Sequence, residues 1–145
     1  MKKFKLWLLI LLAAGLLGGT YVWFFVYNKP HRNIETASPD YILTAESLYT
    51  HYSNKSTPEG ENYDGAVLQI SGIPTSIETV DSLRIVVFAF TEGVFGDEGI
   101  RCTLLPSHHQ YLKSIVPGRP VTLKGLCSGY NGTDVILEQC SIINE

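Results

Sequence analysis

The chain lacks the short motifs that most enzyme classes carry. It contains no G-x-S-x-G, no H-E-x-x-H, no P-loop and no Cys/His pair at a recognisable spacing. The serine hydrolase, zinc protease and nucleotide-hydrolase arrangements are therefore absent, and the expectation is a non-enzymatic protein without a cofactor. Cysteine is scarce: Cys102, Cys127 and Cys140 form no C-x-x-C pair, so no zinc site is expected. Asp97-Glu98 lies among glycines but lacks the EF-hand pattern. His108-His109 are adjacent, about 100° apart on a helix, and read as a surface pair rather than as metal ligands.

Positive charge is also scarce where it would matter for nucleic acid. All 14 acidic residues lie beyond residue 32, against six basic ones, Lys55, Arg84, Arg101, Lys113, Arg119 and Lys124. The whole chain carries a formal −3, but residues 33–145 carry −8. Phosphate backbones are bound mainly by neutralising them with Lys and Arg. So acidic a segment is disfavoured as a nucleic-acid partner and reads as a solvated surface.

Charge is missing altogether from residues 6–27, all of them hydrophobic except Gly15, Gly18, Gly19 and Thr20. At about 1.5 Å per residue such a helix is roughly 33 Å long, enough to cross a bilayer. Tyr21, Trp23, Phe24, Phe25 and Tyr27 crowd its end, where amphipathic rings favour the headgroup layer, and Pro30 stops it. No A-x-A-like site follows, so the segment reads as an uncleaved signal-anchor that makes the lipid bilayer one partner. Lys2, Lys3 and Lys5 precede the span; Lys29 and Arg32 follow it. That bias places residues 1–5 in the cytoplasm and residues 33–145 outside the cytoplasmic membrane.

Residues 28–43, with Pro39, read as a linker. Thr44 can cap a helix over 45–54 with Leu48, Tyr49 and Tyr52 on one stripe, and 55–62 read as a polar loop. From Ala66 the period becomes two. A first strand over 66–71 is interrupted by Gly72 and Pro74, which suggests a bulge or a bend between sheets. A second strand covers 83–90, and the glycine-bearing 91–99 reads as a mobile connection. A third strand carries Ile100, Cys102 and Leu104, and a short helix over 107–116 follows it. A fourth strand carries Val121, Leu123, Gly125 and Cys127. Asn131-Gly132 is a hairpin signal, and the last strand shifts phase between Leu137 and Cys140, which implies a bulge. Three strands, a helix and a final hairpin are the order of a five-stranded OB-fold barrel, expected over residues 44–145.

Tyr63-Asp64-Gly65, Leu68, Ile70-Ser71-Gly72, Ile77, Cys102, Gly118, Val121-Thr122, Gly125, Cys127, Gly129, Asp134-Val135, Leu137 and Cys140 together resemble the bacterial tRNA_anti-like family. Residues 27–32 resemble the opening of its membrane-anchored members, and with Thr44-Ala45-Glu46 and Leu48 the resemblance spans about 27–143. It implies an OB-fold behind an export or anchor segment. Ile73-Pro74 and residues 91–99 depart from the family pattern.

OB domains that bind nucleic acid commonly do so across the second and third strands. The candidate ligand-binding residues are Arg84, Phe88, Phe90, Arg101, Lys124 and Tyr130, with Phe88 and Phe90 equally explicable as core. A disulfide between Cys127 and Cys140 is one reading of the thiols and burial as small apolar side chains is the other. The functional expectation is an anchored, non-enzymatic interaction module with an envelope protein partner, docking through an apolar patch that includes Phe88, Phe90 or Phe95. Single-stranded oligonucleotide or tRNA binding is one alternative; oligosaccharide or small-ligand binding is another.

Overall fold

The structure, a computed structural model, describes residues 1–27, 33–54 and 63–143. The expectations for Pro30 and for residues 55–62 lie outside them. The chain divides into two compact units, Met1–Arg32 and Asn33–Glu145.

In the first unit, helix α1 (Lys2–Val22) runs on into a π-helical turn, Trp23–Tyr27. Lys2–Tyr27 has a mean hydropathy of 2.1 and is long and apolar enough to cross a membrane. Tyr21 stacks on Phe25 and Trp23 on Tyr27, at centroid distances of 4.7 and 5.2 Å. The Thr20 hydroxyl donates to Leu16 O at 2.7 Å, so the one side-chain hydroxyl in the middle of this run is satisfied within its own helix.

The second unit contains β1 (Tyr41–Thr44), α2 (Ala45–Ser53), β2 (Val67–Gly72), β3 (Ser76–Val80), β4 (Leu83–Gly93) and β5 (Gly96–Leu104). A 3-10 helix (Pro106–Ser114), β6 (Val121–Tyr130) and β7 (Val135–Ile143) complete it. The strands pair in the order β1-β2-β6-β7-β5-β4-β3. Among the described residues, only β1–β2 and β5–β7 pair in parallel. Ile73, Pro74 and Thr75 alone separate β2, which pairs with β6, from β3, which pairs with β4. One bent strand thus borders both sides of the sheet and closes it into a barrel. With β2 and β3 counted as one strand, the circuit is first, second, third, fifth, fourth and back to first, with a helix between third and fourth. This is the OB-fold. The described residues hold seven strand segments rather than five because the first strand is broken and β1 is added.

The bend has a local cause. Pro74 has no N–H for a ladder, and Gly72 is a point of close approach. A Cβ on Gly72 would lie 2.8 Å from Ala45 Cβ and 3.2 Å from the Phe88 ring. The expected bulge in β7 is also present. Cys102 pairs with Leu137 and Leu104 with Cys140, while on the other side Leu126 pairs with Glu138 and Lys124 with Ser141. β7 therefore holds one extra residue against both neighbours, and Gln139 takes a φ of 52° there. The shift keeps Val135, Leu137, Cys140 and Ile142 all in the core.

Three expectations are corrected. The described part of the expected linker, residues 33–43, is not free: Ile34 is buried, Asp40 accepts from Val67 N–H and donates its own N–H to Val67 O, and β1 extends the sheet. Lys124 Nζ donates to Glu35 O at 3.0 Å and Ala37 O at 2.8 Å, tying this segment to β6. Residues 91–99 are not a loop but the end of a hairpin, pairing Thr91 with Glu98, Glu92 with Asp97 and Gly93 with Gly96. Gly93 leaves the space that the Glu98 side chain fills, and Gly96 supplies the turn's φ of 123°. Finally, His108 is not on the surface. Its Nδ1 accepts from Ile142 N–H at 3.2 Å, so its proton sits on Nε2, which donates to Glu35 Oε1 at 2.9 Å.

Thr44 caps α2 as expected, its hydroxyl accepting from Ser47 N–H at 3.2 Å. Removing the Lys124 ammonium should free residues 33–40. Lys124→Ala should lower unfolding free energy by about 1–2 kcal/mol, read by urea denaturation, and should open residues 33–40 first to limited proteolysis.

Candidate functional site

In β4 and β5 the core-facing positions are Val86, Phe88, Ile100 and Cys102, all fully buried. The alternate positions, Ile85 beside Thr103 and Val87 beside Arg101, form the opposite face, which OB domains use for ligands. Phe88 is 0% exposed and packs in the core, so it is removed from the ligand-binding set. A ring of that size on the same parity as Val86 belongs to the barrel's interior.

Arg101 occupies the middle of the outer face. Its Nη1 donates to Glu78 Oε2 at 2.6 Å and its Nε to Asp134 Oδ2 at 3.1 Å. Asp134, itself nearly buried, also accepts from Gly99 N–H at 2.9 Å. Asn131 Oδ1 accepts from the N–H groups of Thr133 and Asp134 and thereby shapes the turn that presents this carboxylate. Burial alone would lower the Arg101 pKa, but hydrogen bonding and charge from Asp134, then Glu78, outweigh it and raise it. The guanidinium is thus permanently charged and already neutralised by two carboxylates. A cleft of about 240 Å³ adjoins it, lined by Phe95, Gly96, Asp97, Glu98, Thr133 and Asp134. Its other ionisable residues are all acidic, so it does not suit a phosphate.

The remaining candidates do not join Arg101. Arg84 shares the parity of Val86, at the opposite end of β4 from Phe90, and its Nη1 donates to Leu83 O at 3.3 Å. Six residues along a strand separate Arg84 from Phe90, roughly 20 Å. Lys124 is engaged with the Glu35 and Ala37 carbonyls. Lys124 and Arg101 pair with Ser141 and Ile136 respectively, well apart along the strand between them. The three cations therefore do not form one continuous face.

What the structure does bring together is aromatic. Phe90 stacks on Tyr49 of α2 at 5.3 Å, and Tyr130 stacks on Tyr52 at 6.0 Å. Phe90 remains 39% exposed. Tyr52 Oη donates to Asp64 Oδ1 at 2.6 Å and lies 3.6 Å from Cys127 Sγ, while Tyr130 Oη donates to Gly132 O at 2.8 Å. Sequence reading marked Phe90 and Tyr130 but missed their α2 partners. The stripe Leu48, Tyr49 and Tyr52 was visible, although not which strand ends it would meet.

The most exposed apolar side chains among the described residues of the second unit are at the tip of the β4–β5 hairpin, where Val94 is 93% and Phe95 97% exposed; Ile42, Ile73, Val80 and Leu83 are exposed to a lesser degree. Glu92 and Asp97, directly opposed across the hairpin, stand next to it. Like charges facing each other across a ladder are unfavourable, so the hairpin end is not optimised for stability alone.

Cys127 faces Leu137, and Cys102, Cys127 and Cys140 are all buried as free thiols.

The tRNA_anti-like family matches residues 1–142. No curated protein matches the chain. Among solved structures, it is similar to OBody AM1L10 bound to hen egg-white lysozyme, at 20% identity and a TM-score of 0.41, covering 67% of this chain and 95% of the other. OBody AM3L15 bound to hen egg-white lysozyme is similar at 15% identity, TM-score 0.41, covering 67% and 90%.

Burial raises the Tyr52 phenol well above its ordinary value, and the hydrogen bonds to Asp64 and Cys127 add to it. A phenol that holds its proton more tightly folded than unfolded contributes stability that is complete below about pH 10. That contribution is lost as pH rises towards the folded value. The urea midpoint should therefore fall between about pH 10 and 11. Tyr52→Phe should flatten this slope, leaving the part due to Cys127 and Tyr130, whose pKa values burial also raises.

Proposed function

The chain belongs to the tRNA_anti-like family, and on that premise we propose that it is a membrane-anchored, non-enzymatic module that binds a protein partner in the cell envelope. Its OB-fold is of the type used by nucleic-acid-binding domains. The helix Lys2–Tyr27 anchors it in the cytoplasmic membrane with its amino terminus inside, and residues 33–145 work outside the cytoplasm.

The observation that carries the reading is the hairpin tip. Val94 and Phe95 are presented to solvent on a two-stranded arm whose register is paired to within one residue of the turn on each side. Exposed aromatic anchors on ordered elements are what partner pockets bury, and such residues dominate binding energy. The acidic flank of Glu92, Asp97 and Glu98 favours a pocket rimmed by cations. Oligonucleotide binding is disfavoured because Arg101 is already paired to Glu78 and Asp134 and Lys124 is engaged elsewhere.

Three measurements test this. The full chain in detergent micelles should not retain a fluorescent single-stranded oligonucleotide at low salt, where non-specific electrostatic binding is strongest; salt-sensitive retention would establish the nucleic-acid reading instead. Proteins that copurify with the chain from solubilised membranes should be lost from a Val94→Ser/Phe95→Ser variant of unchanged thermal stability. An unchanged set would remove the tip from the interface. A reporter fused after Glu145 should be active outside the cytoplasm, and activity only within it would reverse the topology.

A further inference from the structure

The strand register sends the barrel's connections to two opposite ends. β4 begins where β5 ends, with Ile85 paired to Thr103, and β5 runs parallel to β7, with Leu104 paired to Cys140. β6 starts beside the end of β7, with Thr122 paired to Ile143. The β3–β4 turn and the connection between β5 and β6 therefore share one end. His108, accepting from Ile142 N–H, holds the 3-10 helix there, and Gly118 N–H donates to Pro74 O at 3.0 Å. The β4–β5 hairpin tip lies at the other end.

Charge divides the same way. With Arg101 and Lys124 engaged, the remaining cations among the described residues of the second unit are Arg84, Lys113 and Arg119, all at the first end. Ile73, Val80, Leu83, Tyr111 and Val116 are exposed beside them. Asp81 lies there too, as does Glu35, which is bonded to His108. The hairpin end instead carries Glu92, Asp97 and Glu98. Aliphatic side chains and a tyrosine set among Lys and Arg suit the headgroup layer of an anionic bilayer.

We propose that this end of the barrel rests on the anionic phospholipid surface of the membrane that holds the chain, with the hairpin tip turned away from it. This docking presupposes the membrane anchor proposed above. Chain reach favours it: Tyr27 and Ile34 are seven residues apart in sequence, at most about 25 Å when extended. Glu35, the next residue, is bonded to His108 at this same end. The overall −8 of residues 33–145 does not prevent contact. A tilted strand the length of β5, Gly96–Leu104, sets the hairpin acids roughly 20 Å from this end. That exceeds the Debye length of about 8 Å at physiological ionic strength. The lipid surface therefore meets the near cations, while repulsion from the far acids is screened.

To test this, the full chain is placed in lipid nanodiscs with a fluorophore on Ser82→Cys, in the β3–β4 turn, or on Val94→Cys, at the hairpin tip; the native cysteines are buried. In equimolar phosphatidylcholine and phosphatidylglycerol, lipids with nitroxide headgroups should quench the label at position 82 and spare the one at 94. The docked-to-free ratio should fall in pure phosphatidylcholine, and by about fivefold for each of Arg84→Gln, Lys113→Gln and Arg119→Gln. Inorganic phosphate at matched ionic strength should leave the quenching unchanged; release by it would overturn the lipid surface as the occupant. No quenching at position 82, equal quenching at both positions, or quenching indifferent to lipid charge and to the triple variant would overturn the docking. Alkaline carbonate treatment of vesicles holding the chain separates docking from anchoring. A chain washed out would reject the anchor and the docking together, whereas a chain retained but unquenched at position 82 would reject the docking alone.

Discussion

Residues 67–80 must pair with β6 at their start and with β4 at their end, and the barrel closes only because the chain can turn between them. That turn leaves little room for a side chain at position 72, where Ala45 and Phe88 both come close, and it carries Pro74, which has no N–H for a ladder. The first position of α2 is thereby packed against the end of β2, which places Leu48 and Tyr49 in the core and Tyr52 beside the open end of β6. The aromatic layer, the outer face around Arg101 and the hairpin tip all inherit their positions from this closure.

The treatment of charge follows from the same architecture. A small acidic barrel has few cations, and two of those placed on its outer strands serve its own structure. Lys124 satisfies two carbonyls of the segment 33–40, and Arg101 links β3, β5 and the turn before β7 through Glu78 and Asp134. Charge-assisted bonds of this kind are stronger than neutral ones, which suits a domain with a core this small. They also leave little positive potential on the face where related architectures hold phosphates. What the barrel still presents is shape and apolar surface, with Val94 and Phe95 the most exposed apolar side chains among the described residues of the second unit.

Much of this was legible in the residues. The alternation in Val121–Cys127, the capped helix after Thr44 and the phase change between Leu137 and Cys140 each reflect a local rule that the barrel obeys. Failures occurred where tertiary contacts override local signals. Residues 33–44 carry few apolar side chains, yet Ile34, the Asp40–Val67 exchange and Lys124 dock them, and Lys124 is distant in sequence. Residues 91–99 look flexible because of three glycines, but Gly93 and Gly96 serve packing and turn geometry. His108 gave no sign of its role because both of its partners, Glu35 and Ile142, come from the far ends of the domain. Of the site candidates, parity alone could have shown that Phe88 shares the core face of Val86; the pairing of Arg101 with Asp134 could not have been read without the barrel.

β7 lies between β5 and β6, yet it is the last described strand in chain order. A ribosome or a translocation channel therefore delivers both flanking strands before the one that joins them. Until β7 arrives, Ile100, Leu104 and Leu123 have no complete core to enter, and the parallel closure of the sheet cannot begin. Such long-range pairing folds slowly and leaves apolar surface uncovered meanwhile. The vulnerable interval in this protein's life is its synthesis, and a holding factor would have most to protect in the chain between Gly96 and Tyr130.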